Sequence, residues 1–214
     1  MLFLPLTDVL FSKNNLGILT AFYHHVNSSL LCILTMKPIP ERIDLHRVYL
    51  LRHTPQDAEE IFYSYASKEQ VTEFLPWKTH ESIDDTRAFL KIAIQTWKAR
   101  TQFAYSVRLH DTGRLIGACG CLHTDGVFQI GYVFSPSVWG QGYATDVCSG
   151  LVQAIRENPA VRRITSFVDV ENIRSMKVLE RVGFVKAERA PEYFLAINQG
   201  GKKRDAWIYN FPLT

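Results

Sequence analysis

Between residues 102 and 134 three apolar runs, QFAYSVRL, RLIGACGCL and VFQIGYVF, are separated only by His-Asp-Thr-Gly (110–113) and by a turn at Asp125-Gly126. Asp-Thr-Gly and Asp-Gly favour tight reversals, so each run folds back on the one before it. An antiparallel meander is predicted, and Ser135-Pro136 ends its third strand. The rest of the chain must then attach to that sheet. A helix over about 142–157 places Ala144, Val147, Leu151, Val152 and Ile155 on one face and stops at Asn158-Pro159. A strand at 162–170 comes next, then a helix at 171–183 with Gly183 as its C′ residue, then two strands around the turn 199–203.

Upstream, RVYLLRH (47–53) reads as a first strand. A helix comes after it with Thr54 as N-cap, Pro55 at its first position and Asp57 in its first turn. A second helix begins at Ser82, with Asp84 and Asp85 in its first turn and Phe89, Ile92, Ala93 and Trp97 spaced for one buried face. The order β-α-α-β-β-β-α-β-α-β-β predicts an α/β (α+β) domain: a mixed, mostly antiparallel sheet of six to seven strands with helices on both faces.

The chain's 214 residues, 47% hydrophobic and 21% charged, suffice for one domain with a proper core. The net charge of +3 suits an anionic small ligand or a nucleic acid equally. The longest basic run, Lys202, Lys203 and Arg204, reads as a solvated hairpin tip, so no nucleic-acid partner is expected. Cys32, Cys119, Cys121 and Cys148 lack CxxC spacing and read as reduced, packed thiols. His80, His110 and His123 lack metal-ligand spacing and read as surface or packing residues; no metal is expected. Residues 1–35 are apolar but interrupted by Asp8, Lys13, Asn14-Asn15 and His24-His25. No run reaches the ~20 residues a membrane helix needs, and neither a basic start nor an A-x-A-like end marks a signal peptide. They are read as a loosely attached or non-native extension before a domain at 36–214, in a cytoplasmic protein without membrane partners.

Two stretches carry chemistry. In VWGQGYATD (138–146), Gly140 and Gly142 expose backbone amides just where a helix presents its unpaired N–H groups and positive end. The stretch is either a seat for a phosphate or a simple strand-to-helix reversal; it completes neither GxxxxGK[ST] nor GxGxxG. In DVENIRSMKVLERVGF (169–184), Asn172 at the helix start is either an N-cap or a ligand contact, with Ser175 one turn on along the same face.

Together, with one helix and one strand between them, these motifs resemble the GCN5-related N-acetyltransferase (GNAT) superfamily. Within it they look like the RimJ/RimL type, which acetylates ribosomal-protein N-termini. Glu171, Asn172, Ser175, Leu179, Glu180, Gly183 and Phe184 match that subgroup's second motif, and IGYVF, LPWKTHES and RDAWIY point the same way. The likeness spans about residues 40–212. It implies a single domain in which acetyl-CoA lies in a splay between the strands at 127–134 and 163–168. The pantetheine amides would pair with the backbone of Tyr132, Val133 and Phe134. The pyrophosphate would sit on the amides of Trp139, Gly140, Gln141, Gly142, Tyr143 and Ala144, with Asn172 and Ser175 lining the thioester end. It implies that the acceptor is a primary amine, a peptide N-terminus or a small-molecule amine, and that the protein works as a monomer or homodimer.

The same resemblance assigns catalytic roles. A Val133 amide would hold the oxyanion, and Ser175 would protonate the leaving thiolate, because Leu179 stands where many members have tyrosine. Gln129 occupies a position that is often glutamate and takes no proton at neutral pH. It is read as orienting substrate or water, leaving a water relay or a peripheral carboxylate such as Glu192 to accept the proton. Trp77 and Tyr193 are expected to line the acceptor groove, with Trp77 reading equally as a core or interface aromatic.

Overall fold

The computed structural model describes residues 37–213, so the extension 1–35 lies outside the described residues. Eight strands form one sheet: β1 (Arg42–Asp44), β2 (Val48–Arg52), β3 (Gln102–Leu109), β4 (Leu115–Thr124), β5 (Val127–Phe134), β6 (Arg163–Asp169), β7 (Val185–Ala196) and β8 (Lys202–Phe211). A first helical segment, α1, runs from a 3-10 turn (Pro55–Asp57) through an α turn (Ala58–Ile61) into a π turn (Phe62–Ala66). The others are α2 (Glu69–Thr72), α3 (Ile83–Lys98), α4 (Tyr143–Arg156) and α5 (Ile173–Val182).

The meander forms as read, with β3, β4 and β5 antiparallel neighbours. The sheet order is β1-β2-β3-β4-β5-β6-β8-β7, antiparallel throughout except for β5 against β6. The strand count exceeds the expected six to seven, because Arg42–Asp44 adds an edge strand too short to show a period-2 pattern. The helix faces build two packed layers. Val147, Cys148, Leu151, Val152 and Ile155 of α4 and Met176 and Leu179 of α5 cover one side of the sheet. Ile61 and Tyr65 of α1 and Leu90 and Ala93 of α3 cover the other, over Ala104, Ala118 and Val133.

The face of α3 departs from the reading in one respect. Leu90 is buried, whereas Ile92 is 52% exposed, so the buried stripe runs through Thr86, Leu90, Ala93 and Trp97. Arg204 departs as well. It is no free hairpin tip, but pairs with Asp169 at 2.8 Å and Glu171 at 2.7 Å, tying β8 to the entry of α5. Cys119, Cys121 and Cys148 are free and buried, as read; Cys32 lies outside the described residues. No described helix is long and apolar enough to cross a membrane.

The feature that positions the site is the β5–β6 junction. These parallel strands pair only at Val127↔Arg163, Phe128↔Ile164 and Gln129↔Thr165. The Ser166 hydroxyl then donates to the Ile130 carbonyl at 3.0 Å, the last hydrogen bond between the two strands among the described residues. Beyond it β6 pairs with β8 on its far side, and the near edge of β5 is left open.

Candidate active site

Which β5 groups face the opening is decided by register. The Ser135 N–H donates to the Ile116 carbonyl at 2.8 Å, and doubly bonded pairs alternate along an antiparallel ladder. Val133 opposite Ala118 and Gly131 opposite Gly120 therefore direct their amides toward β4. Ile130, Tyr132 and Phe134 direct theirs toward the opening, consistent with the Ile130 carbonyl meeting Ser166 and the Phe134 carbonyl meeting Trp139 Nε1 at 2.9 Å. This corrects one expectation: the Val133 amide belongs to the β4–β5 ladder, and its side chain is buried against the α1–α3 face. The amides that point toward the opening are those of Tyr132 and Phe134.

At the mouth of the splay, Gly140 and Gly142 both adopt left-handed backbone, with φ of 77° and 83°, and Gly142 is the N-cap of α4. A β-carbon on Gly140 would meet nothing within 4 Å, so there is open space beside the loop. The Trp139 and Gln141 amides are spent inside it, on the carbonyls of Pro136 (3.2 Å) and Val138 (3.4 Å). Asp146 N–H makes the first intrahelical bond, to Gly142. Among the described residues the amides of Gly140, Gly142, Tyr143 and Ala144 then remain without a backbone acceptor, at the positive end of a 14-residue helix. Those donors suit a diphosphate, four of the six amides expected from the sequence.

Across the splay, Asn172 is an N-cap, its side-chain oxygen accepting the Ser175 amide at 3.1 Å. The Ser175 hydroxyl turns inward and lies 2.8 Å from the hydroxyl of Tyr132, which donates its one proton to the Ser175 carbonyl at 3.1 Å and so accepts from the Ser175 hydroxyl. Burial pushes the Tyr132 phenol well above its ordinary range. Tyr132 therefore stays protonated and orients Ser175 rather than giving up its proton. Leu179 is fully buried and offers no donor.

On the opposite face, Gln129 donates to the Tyr193 hydroxyl at 3.4 Å, and Tyr193 packs edge-on against Phe167, 4.8 Å between centroids. Trp77 lies with Ile61, Tyr65, His80 and Phe89 around a small cavity. The Tyr65 hydroxyl and Trp77 Nε1 are buried there without a hydrogen-bond partner among the described residues. Burial lowers the affinity of His80 for a proton, and its Nδ1 sits 2.8 Å from Thr86 Oγ1. Nearby, Ser106 gives its one hydroxyl proton to Asp57 at 2.9 Å, so His53 Nδ1, 2.8 Å from Ser106 Oγ, must be the donor to it. His53 Nε2, on the far side of the ring, is likewise buried without a partner among the described residues.

Glu192 is not drawn into this arrangement. Its side chain is 72% exposed at a positive-φ position, its amide donates to Asp205 and its carboxylate lies 3.9 Å from Lys203. The residue the sequence reading missed is Asn198, in the 3-10 turn Ile197–Gln199. Its side-chain amide donates to the carbonyls of Thr72 (2.7 Å) and Trp77 (2.8 Å), and its oxygen accepts from the Thr79 amide (3.0 Å). Asn198 thereby fixes the Trp77 segment from more than a hundred residues away, and no local pattern announces it.

The sequence model of the acetyltransferase (GNAT) domain family matches residues 47–185. The chain belongs to that family and is an N-acetyltransferase. It is 26% identical over 171 residues to the uncharacterized N-acetyltransferase YoaA of Bacillus subtilis, covering 78% of this chain and 94% of that one. Among solved structures, RimJ of Mycobacterium smegmatis in complex with CoA-disulfide is similar at a TM-score of 0.72 and 19% identity, covering 80% of this chain and 87% of that one. The microcin C7 self-immunity acetyltransferase MccE, in complex with acetyl-CoA and AMP, is similar at 0.72 and 17%, covering 83% and 98%. These likenesses establish a shared fold.

Proposed function

We propose that the chain transfers an acetyl group from acetyl-CoA to a primary amine, the α-amine of a peptide N-terminus. The donor half rests on the open edge of β5 running into a loop whose free amides suit a diphosphate. When bound there, the thioester supplies the acyl group. The Tyr132 and Phe134 amides face its path, the Tyr132 amide replaces Val133 as the oxyanion donor, and Ser175 offers a proton to the departing sulfur and regains one, through water, from the amine nitrogen that has attacked.

The acceptor half rests on Gln129. A glutamine at the head of the splay takes no proton, so the site favours an amine already neutral in water. An α-amine has a pKa near 8, whereas a lysine near 10.4 costs about 3 kcal/mol more to deprotonate. Thiol release from acetyl-CoA, measured against peptides with free N-termini and against lysine peptides with blocked ones, tests this. Faster release with blocked lysine peptides would refute it.

A second reading is favoured by the unpartnered Tyr65 hydroxyl and Trp77 Nε1 in a narrow aromatic cavity. Such a cavity suits a small amine carrying hydrogen-bonding groups. Release with small amines alone would select it, and release with neither class would leave a CoA-binding module without turnover.

A further inference from the structure

We infer that Arg47 is a positioning residue for the cofactor loop: it fixes the direction of the Gln141–Gly142 peptide so that the Gly142 amide faces the diphosphate. The inference rests on reading that loop as the diphosphate seat. Arg47 lies between β1 and β2, remote in sequence from the loop it touches. Its place is set by docking of the β1–β2 turn on α4. Gly150 leaves room for Leu45, whose Cδ2 takes up the space that a β-carbon on that glycine would need. Backbone bonds from Leu45 to Val48 (2.9 Å) and from His110 to Arg47 (3.3 Å) hold the turn.

From there the guanidinium reaches three partners. Nη1 donates to the Gln141 carbonyl at 3.0 Å, Nε and Nη2 donate to Asp146 Oδ2 at 2.9 and 2.7 Å, and its plane lies 4.1 Å from the Tyr143 ring centroid. The carbonyl and the N–H of one trans peptide point in opposite directions. Holding the Gln141 oxygen therefore turns the Gly142 N–H away from Arg47, toward the side on which the helix N-terminus opens. Glycine at 142 has little intrinsic preference for this orientation, so an external anchor has something to decide. The same guanidinium offsets Asp146, a carboxylate in the first turn that would otherwise repel an anion at that end. The planar fork serves both tasks at once, which a lysine ammonium cannot.

The test compares CoA with pantetheine, which lacks the diphosphate together with the 3′-phosphoadenosine beyond it. Binding of CoA is measured by titration calorimetry and binding of pantetheine by ligand-observed NMR, for the wild-type protein, Arg47→Met and Arg47→Lys, with thermal melts alongside. Arg47→Met is expected to weaken CoA about tenfold while pantetheine stays within about twofold. Arg47→Lys should weaken CoA by roughly threefold, and it carries the same comparison should the methionine variant fold poorly. Equal weakening of both probes, or undiminished CoA binding, would overturn the inference. A wild-type protein that bound CoA no more tightly than pantetheine would instead remove the diphosphate seat, and the inference with it.

Discussion

On the α4–α5 side of the sheet, the groups that build the site sit in short, contiguous stretches. Gly140 and Gly142 head a helix that begins at Tyr143, and Asn172 caps the turn that carries Ser175. Much of the work falls to backbone amides, whose direction is set by φ and by strand register. On the α1–α3 side the site is assembled from side chains brought together across the chain. Trp77 is held by Asn198, His53 is oriented by Ser106 and Asp57, and Tyr65 is delivered by a π turn. One side offers main-chain donors and a helix end, suited to a ligand of fixed chemistry. The other leaves three buried polar atoms, on His53, Tyr65 and Trp77, for something else to satisfy. An unmet buried donor or acceptor costs about 1–3 kcal/mol, so a bound polar group or water that satisfies them recovers that energy.

The largest effect separating the two sides is expected at Ser175. Ser175→Ala should slow turnover about a hundredfold while acetyl-CoA affinity changes little, because only the proton donor is lost. Unchanged turnover in a single-turnover assay would remove Ser175 from the chemistry. Next, Asn198→Ala should cost about 2 kcal/mol in thermal or denaturant unfolding, since it abandons carbonyls and an amide on the Trp77 segment. It should also raise the acceptor KM without altering CoA binding. A loss of CoA affinity of the same size would show that the two sides are not separable. Gly142→Ala is the mirror test, confined to the other side. A β-carbon at φ 83° costs about 1 kcal/mol and would lie 3.3 Å from Arg47 Nη2, so CoA binding should weaken while the acceptor KM holds.

The same division explains what the sequence could tell. Strand and helix order was legible from alternation and caps, and the glycine loop and the Asn172–Ser175 turn from spacing, because each is decided within a few residues. Val133 was misassigned because parity along β5 is set by its pairing with β4, which spacing alone leaves open by one residue. Arg204 looked like a solvated tip because its partners, Asp169 and Glu171, lie on other elements. Asn198 and Arg47 each act on a segment about a hundred residues away, where local composition is silent. Ile92 was placed on the buried stripe because a spacing of three or four fits neighbouring helical faces nearly equally; packing chose Leu90.

The smallest expected effect concerns acid. Burial lowers the proton affinity of His80, on the acceptor side, and of His123, beside Phe128 on the cofactor side. Each folded pKa lies below the unfolded value of 6.5, so the unfolded chain binds more protons as pH falls beneath that value, and stability drops in step. Asp57 has the same sign in a lower window. Burial alone would raise its pKa, but His53, 3.8 Å away, and hydrogen bonds from the Thr54 amide, Arg108 and Ser106 outweigh that and hold it well below 3.8. Its contribution is complete above the ordinary carboxylate range and is lost as pH falls through it. Melting temperature should therefore be level above pH 7, decline gently toward pH 5, and fall more steeply below pH 4. His80→Asn should flatten part of the gentle phase and leave the steep one in place, since Asp57 and its partners are untouched. A steep phase that vanished with His80 would mean that the histidine and the Asp57 network titrate as one unit on the acceptor side.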